Sequence, residues 1–180
     1  MKPTLIYDFT DNYPLSTVFS ETEWDVRAGN RLESFQALDT SLTYSYGSGK
    51  SVRTYTASPM HEVVRSYLNE LNAKFGTAYN VCVINYYADQ KNSLGWHADD
   101  SPEQDPSHPI CVLSFGAERY IFVKENGSKG VVPLEDRYFL KHGSCFIMPP
   151  GFQETHQHKI PRHDRECGPR MSMTFRKLDR

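Results

Sequence analysis

The sequence is poor in cysteine, and it lacks long apolar runs. Its four cysteines (Cys82, Cys111, Cys145 and Cys167) form no C-x-x-C pair. Three of them lie in apolar runs, where a free cysteine packs as a small hydrophobic side chain, so a disulfide framework or a structural zinc site is not expected. No apolar run approaches the roughly eighteen residues of a membrane-spanning helix. The N-terminal segment turns acidic at Asp8 before a signal-peptide core could form, so we expect a soluble intracellular protein, cytoplasmic or nuclear.

A strong net charge is also absent, since the formal net charge is −2. The charges are nevertheless unevenly distributed, because basic residues outnumber acidic ones from residue 141 to the end. A basic end of this kind could attract nucleic-acid phosphates. A solvated charged surface gives the same pattern, and charge alone favours that interpretation.

The residues that are plentiful favour a β-rich single domain. Aromatic side chains make up 13% of the chain, and its eleven glycines and eleven prolines suit many turns. One main helix is predicted over 59–75, capped by Ser58 and ended by Gly76, and Leu15, Val18 and Phe19 suggest a short one near the front. No repeat or linker interrupts residues 1–180, which predicts one domain.

Short strands are predicted after the main helix. They cover 80–87, 110–115, 119–124, 131–134, 138–140, 144–148 and 171–176, with a hairpin turn at 126–130. Seven short strands after one helix predict a β-sandwich or jelly roll with helical support. Two long loops, 88–95 and 100–109, are expected to border a functional site.

His97 and Asp99 lie two positions apart in the sequence, and this spacing suggests a metal site. In a strand, residues two apart project to the same face, so both side chains could bind one metal ion. Candidates for a third ligand are His142, His156, His158 and His163. Two histidines and one carboxylate leave three coordination positions open, as in non-haem iron(II) oxygenases. Zinc-dependent hydrolysis with the same ligands is chemically possible as well.

Arginines and hydroxyls alternate with apolar residues in the last predicted strand. Arg170, Ser172, Thr174 and Arg176 fall on one face, and Met171, Met173 and Phe175 fall on the other. Two arginines inside a barrel are costly unless they meet anions, and a dicarboxylate beside the metal would supply them. An edge strand with a solvated polar face would produce the same pattern.

Taken together, residues from about Thr43 to Leu178 resemble the AlkB family of iron(II)/2-oxoglutarate dioxygenases, which oxidatively dealkylate nucleic-acid bases. The matching stretches are 85–87 (NYY), 94–100 (LGWHADD), 113–117 (LSFGA), 142–143 (HG), 158–161 (HKIP) and 169–176 (PRMSMTFR). The resemblance implies a β-rich α+β fold, namely a double-stranded β-helix (jelly roll) with supporting helices. It also implies an N-terminal nucleotide-recognition lid within residues 1–56, followed by a helix and a jelly-roll core over 57–180. Residues 42–46 (LTYSY) resemble the aromatic part of that lid, and 30–35 (NRLESF) weakly resemble its basic start.

The resemblance also implies roles for individual residues. His97, Asp99 and His158 would hold the iron, with His158 preferred to His156 by its H-x-(aliphatic)-Pro context. The residues expected to bind 2-oxoglutarate are Asn85, Tyr87, Leu94, Ser114, Arg170, Ser172, Thr174 and Arg176. The residues expected to bind the substrate are Arg31, Tyr44, Tyr46, Trp96, Asp100 and Ser101, with a flipped base stacked between Tyr46 and His97.

One position departs from the family pattern. Nucleobase-repair members commonly carry an acidic residue two positions after the metal-binding Asp, where this chain has Ser101; Glu103 is the candidate to replace it. The resemblance implies Fe(II), 2-oxoglutarate and O₂, and demethylation of N-alkylated bases of the 1-methyladenine and 3-methylcytosine type in DNA or RNA by a monomer. An oxygenase of the same fold acting on a modified cytosine, a protein side chain or a small molecule is the alternative, and a catalytically silent nucleic-acid-binding module is another.

Overall fold

The computed structural model describes residues 1–47, 50 and 52–179. Strands dominate, and they run as follows: β1 (Thr4–Ile6), β2 (Asp25–Val26), β3 (Leu32–Ala37), β4 (Thr43–Tyr46), β5 (Arg53–Thr56), β6 (Ser58–Pro59), β7 (Val81–Tyr87), β8 (Leu94–His97), β9 (Ile110–Gly116), β10 (Arg119–Glu125), β11 (Arg137–Leu140), β12 (Cys145–Met148), β13 (His156–Ile160) and β14 (Arg170–Arg176). The helices are α1 (Leu15–Glu21), α2 (Glu62–Phe75) and the single turn α3 (Phe152–Thr155).

Two largely antiparallel sheets form the core, and the short β6 pairs with β3 in parallel. The larger has the strand order β1-β12-β9-β14-β7-β3-β2, with β6 added beside β3, and the smaller has the order β11-β10-β13-β8. A buried apolar cluster with Val112, Ile121 and Phe146 contains residues of both sheets, so the sheets face each other. The β-rich prediction is therefore confirmed, and the facing antiparallel sheets are consistent with a jelly roll.

Helix α2 covers the other face of the larger sheet. Its Val64, Leu68 and Leu71 pack in one cluster with residues of β7, β9 and β14. Gly76 ends the helix in the left-handed conformation (φ 64°), as predicted. The predicted start was wrong by three residues, because Ser58 and Pro59 pair with β3 as strand β6 and leave the capping position to His61.

The connection between β10 and β11 differs from the prediction of a strand at 131–134. Pro133 has no N–H for a ladder, and a 3-10 turn occupies Leu134–Asp136, so β11 begins only at Arg137. Val131 and Leu134 are left 86% and 77% exposed. The predicted hairpin thus exists, with a longer loop than the turn at 126–130.

The N-terminal segment contributes to both the core and a separate hairpin. Strands β1 and β3 extend the larger sheet through β12 and β7, so the weakly lid-like stretch 30–35 lies partly in the core. Strands β4 and β5 form a two-stranded hairpin of their own. Among the described residues, no helix has the length and apolar character needed to cross a membrane. Cys82, Cys111 and Cys145 are free and buried, as the apolar runs predict.

Candidate metal centre and cofactor pocket

Three side chains converge between the two sheets. His97 ends β8 and lies opposite His158 of β13, while Asp99 follows two residues beyond the end of β8. His97 Nε2 lies 3.7 Å from Asp99 Oδ1, and His158 Nε2 lies 3.5 Å from Asp99 Oδ2. All three potential ligand atoms fall within 4.8 Å of one another. This group could bind one metal ion from one side and leave the coordination positions on the other side of the ion open.

The protonation states suit metal binding. Burial, assisted by the neighbouring His158, lowers the pKa of His97 to about 3, so its ring is neutral at neutral pH. The Nδ1 atom of His97 lies 2.8 Å from the Gly95 carbonyl oxygen, which can only accept, so Nδ1 carries the proton and Nε2 keeps its lone pair. Burial opposes ionisation of Asp99, but Arg176 and His158 outweigh it and lower the pKa of the carboxyl.

Two further side chains fix Asp99. Arg176 Nη2 lies 3.0 Å from Asp99 Oδ1. The backbone N–H of Asp99 has left the β8 ladder and donates instead to Gln153 Oε1 at 2.9 Å. Gln153 belongs to α3, which leads directly into the strand that carries His158. The sequence gives no local signal for this glutamine, because its contact joins positions 54 residues apart.

The rival ligand His156 lies elsewhere. Its ring stacks on Phe152, with centroids 4.6 Å apart, and its Nδ1 lies 2.8 Å from the Thr155 hydroxyl. Of the two histidines of β13, only His158 lies within reach of His97 and Asp99. Neither of the remaining candidates, His142 and His163, belongs to the group of three. The Nδ1 atom of His142 instead accepts a hydrogen bond from the Gly116 backbone N–H.

Replacing the two histidines of β13 separately tests this choice. We expect His158→Ala to weaken metal binding by about 100-fold or more, because one of three ligands is lost, and His156→Ala to change it by less than about threefold. Anaerobic titration with cobalt(II), followed by visible absorption, measures both. Equal losses in the two variants would contradict the assignment of His158.

A cavity extends from His97, Asp99 and His158 to a row of polar side chains on the larger sheet. At its far end lies Arg170, which is 1% exposed. Its Nη2 donates to the Ser114 hydroxyl at 2.9 Å, whereas Nε and Nη1 have no partner among the described residues. Burial lowers the pKa of Arg170 to about 10, so the guanidinium is still charged at neutral pH. Burying a cation with unpaired N–H groups costs free energy unless an anion accepts those hydrogen bonds.

The predicted cofactor residues are brought together by the strand register. Ser172 of β14 lies between Asn85 of β7 and Ser114 of β9, and Arg170 lies opposite Tyr87. Seven of the eight line the cavity, namely Asn85, Tyr87, Leu94, Arg170, Ser172, Thr174 and Arg176. Ser114 is the exception, but its hydroxyl oxygen accepts a hydrogen bond from Arg170.

Arg119 is a buried residue near this site that the sequence did not single out. Its guanidinium donates to the carbonyl oxygens of Asn92 at 2.7 Å and Pro161 at 2.6 Å, which ties the loop before β8 to the end of β13. The ring of Tyr87 has Arg119 at 5.5 Å and Arg170 at 5.2 Å from its centroid. Arg119 thereby fixes the ring against which Arg170 packs.

The predicted substrate residues separate into two groups. Arg31, Tyr44 and Tyr46 line the cavity. Only Tyr46 lies near His97, with ring centroids 5.8 Å apart and planes inclined by 69°. Tyr44 is buried with its hydroxyl against Arg176, and Arg31 Nε donates to Asn85 Oδ1 at 2.9 Å.

The second group lies outside the cavity. Asp100 is exposed, and Ser101 is buried with its hydroxyl bound to Glu103. Trp96 faces the opposite side of the smaller sheet, where Lys124 and Lys159 cover its ring. Alternation at the end of β8 explains this outcome, because Trp96 directly precedes His97 and points to the opposite face. A register irregularity between the pairs His97–His158 and Leu94–Ile160 lets Leu94 line the cavity as well.

Glu103 does not reach the cavity either. Its carboxylate accepts from the hydroxyl and the backbone N–H of Ser45, at 2.8 and 3.3 Å, and from the Ser101 hydroxyl. These bonds join the β4–β5 hairpin to the loop that follows Asp99. Glu103 therefore fixes the hairpin rather than taking the place of an acid beside a substrate.

Comparisons with known proteins show the family of the chain. A family model described as the 2OG-Fe(II) oxygenase superfamily matches residues 11–176. The chain belongs to this superfamily, whose members use Fe(II), 2-oxoglutarate and O₂. Within it the chain is AlkB-like, as the sequence resemblance predicts.

Three relatives illustrate the likeness. The chain is 33% identical to the DNA oxidative demethylase ALKBH2 of Mus musculus over 144 residues, and this aligned segment covers 78% of this chain and 59% of that protein. It is 32% identical over 174 residues to the alpha-ketoglutarate-dependent dioxygenase alkB homolog 3 of Homo sapiens, covering 90% of this chain and 59% of that protein. It is 34% identical over 103 residues to the RNA replication protein of Grapevine virus A, covering 56% of this chain and 6% of that protein. The chain thus spans about three fifths of the first two relatives.

The residues present fit both groups that the family uses. Two neutral imidazoles and one carboxylate are a suitable donor set for iron(II) with open positions. The unpaired N–H groups of Arg170 lie in the same cavity and fit a carboxylate.

Proposed function

We propose that the chain is an Fe(II)/2-oxoglutarate-dependent dioxygenase that demethylates N-alkylated nucleic-acid bases of the 1-methyladenine and 3-methylcytosine type. The supporting observation is the single cavity that joins the His97, Asp99 and His158 group to the incompletely paired guanidinium of Arg170. When bound, iron and 2-oxoglutarate would activate O₂ for C–H hydroxylation, with one oxygen atom passing to succinate as CO₂ is released and the other to the new hydroxyl group. A hydroxylated N-methyl group then leaves as formaldehyde.

The side chains of this chain would act by binding and orientation. Arg170 would bind the distal carboxylate of 2-oxoglutarate, since its Nε and Nη1 need acceptors. Asn85, Tyr87, Leu94, Ser114, Ser172 and Thr174 would line or support the site. Arg176, paired with Asp99, would orient that ligand and lie at the metal-proximal end. Burial of the whole row excludes water from the reacting centre.

The β4–β5 hairpin would act as the lid over this centre. Tyr46 and His97 are the pair between which a flipped base would stack. One stacked pair of rings already needs about 4.5 Å or more between centroids. The observed 5.8 Å therefore leaves no room for an intervening base. The hairpin would have to move outward, and its bonds through Glu103 would set how far.

Replacing Tyr46 tests the lid. We expect Tyr46→Ala to raise the KM for a methylated oligonucleotide by about tenfold or more, because base stacking contributes roughly 1–3 kcal/mol per base. Succinate formation without nucleic acid should change little. Tyr46→Phe, which keeps the ring, should behave like the unaltered protein. An equal loss in the phenylalanine and alanine variants would show that ring stacking by Tyr46 does not contribute to substrate binding.

The substrate class itself is tested by 2-oxoglutarate turnover on matched methylated and unmethylated DNA and RNA oligonucleotides, with iron supplied and oxygen controlled. We expect methylated oligonucleotides to stimulate succinate formation and unmethylated ones not to. Turnover that no oligonucleotide stimulates would favour an oxygenase of this fold with another substrate. Activity that persists without O₂ and 2-oxoglutarate would indicate a zinc hydrolase instead.

A further inference from the structure

The solvent-facing side of the smaller sheet carries aromatic rings where a half-exposed sheet usually carries polar side chains. Its inner side bears His97 and His158 and lines the cavity. Alternation along β8, β10, β11 and β13 turns the neighbouring residues outward. We call this side the outer face, and it includes Trp96, Tyr120, Phe122, Lys124, Phe139 and Lys159, with the Arg137 guanidinium 5.2 Å from the centroid of the Phe122 ring.

The rings of the outer face are contiguous across strands. The Tyr120 ring lies 4.8 Å from that of Phe139 on β11 and 6.1 Å from that of Phe122 on β10, centroid to centroid. None of these rings belongs to the buried core, and Tyr120 is 37% exposed. Rings displayed on a sheet offer stacking surfaces for unpaired bases, because every base has a π-face.

Two ammonium groups lie among these rings. Lys124 Nζ and Lys159 Nζ are 4.5 and 4.8 Å from the centroid of the Trp96 ring, and Lys159 Nζ is 5.6 Å from that of Phe122. Neither lysine takes part in any ion pair of the described residues. Their charges are therefore available to phosphates. A neutral apolar partner would leave these two charges without a counterion.

The position of the outer face connects it to the cavity. Strand β8 is the edge strand of its sheet, and it bears Trp96 outside and His97 inside at adjacent positions. A polynucleotide that places one base beside His97 would need to cross only this edge to reach Trp96. Phosphates and unpaired bases on that path would meet the cations and rings together.

We propose that the outer face binds single-stranded nucleic acid and holds the strand that flanks the base entering the cavity. This inference rests on the proposed function, because it assigns the same substrate a second contact surface. Lysines would contact phosphates, and the rings would stack bases without regard to sequence. A second copy of the chain, or a protein partner, is the competing occupant.

The test measures binding of an unmodified, fluorescently labelled single strand to the full chain loaded with metal and 2-oxoglutarate, at several salt concentrations. The variant Lys124→Glu/Lys159→Glu should bind at least tenfold more weakly, with a log–log salt slope reduced by about 1.4, since each phosphate contact on a single strand contributes about 0.7. Tyr120→Ala/Phe122→Ala should weaken binding by about tenfold with the salt slope unchanged. The matched control is Arg65→Glu/Lys74→Glu on exposed positions of α2, behind the other sheet, and it should bind like the unaltered protein.

Unchanged binding in both outer-face variants would overturn the proposal. Equal losses in the α2 control would also overturn it, because they would reflect net charge alone. So would a variant that loses self-association on size-exclusion chromatography while its affinity for the strand is retained. Since the oligonucleotide carries no methyl group, this outcome is separate from demethylation, which can fail while outer-face binding holds.

Discussion

Asp99→Ala is expected to abolish 2-oxoglutarate turnover, with succinate formation reduced by about a thousandfold or more. Asp99 is the only carboxylate in the group of three potential ligands. Its removal leaves two neutral imidazoles, which hold a divalent metal far more weakly. Succinate formation and anaerobic cobalt(II) titration would measure the two effects, and Asp11→Ala, an exposed aspartate far along the chain, is the control.

A second effect of the same change concerns stability. Arg176 loses its carboxylate partner at 3.0 Å while remaining buried, which costs about 3–5 kcal/mol in comparable buried pairs. The lost activity must therefore be separated from unfolding by assaying at a temperature where circular dichroism shows a folded variant. Single-strand binding should persist under those conditions. Succinate formation equal to that of the unaltered protein would contradict the assignment of Asp99.

Arg170→Met is expected to raise the KM for 2-oxoglutarate by about 100-fold or more. The loss of a buried charged hydrogen-bonding partner in binding sites is of the order of 2–5 kcal/mol. The same change should not lower the stability of the ligand-free protein, because methionine removes a buried cation whose Nε and Nη1 have no partner among the described residues. The ligand-free variant should therefore melt at the same temperature as the unaltered protein or higher.

The two readouts together separate a cofactor role from a structural one. Addition of 2-oxoglutarate should raise the melting temperature of the unaltered protein and leave that of Arg170→Met unchanged. Arg170→Lys, which keeps the charge but not the forked geometry, should give an intermediate KM. A variant that melts much lower and retains its KM would show that Arg170 is a structural residue only.

The sequence predicted those parts of the site that depend on strand alternation. Arg170, Ser172 and Arg176 alternate with apolar residues, and β14 indeed presents them to one cavity between β7 and β9. Trp96 lies outside that cavity for the same reason, because it directly precedes His97 and alternation turns it to the opposite face of the smaller sheet. Alternation thus predicts the face of a residue more reliably than sequence proximity does.

Contacts between distant segments could not be predicted. Ser58 looked like a helix cap because of Pro59, and only the pairing of both residues with β3 makes them a strand. Gln153 carries no motif, yet it accepts the N–H of Asp99 across 54 residues. Glu103 seemed a substitute for a missing acid, and its bonds to Ser45 follow from how the hairpin packs on the loop.

Following one methylated base through the reaction tests the proposed demethylation most directly. The chain would be incubated with Fe(II), 2-oxoglutarate, O₂ and an oligonucleotide that contains a single 1-methyladenine or 3-methylcytosine. Mass spectrometry should show the unmethylated base restored, with one formaldehyde released for each succinate formed in excess of the oligonucleotide-free rate. Succinate formation that leaves the methyl group in place on both bases, in DNA and in RNA, would contradict the proposed substrate.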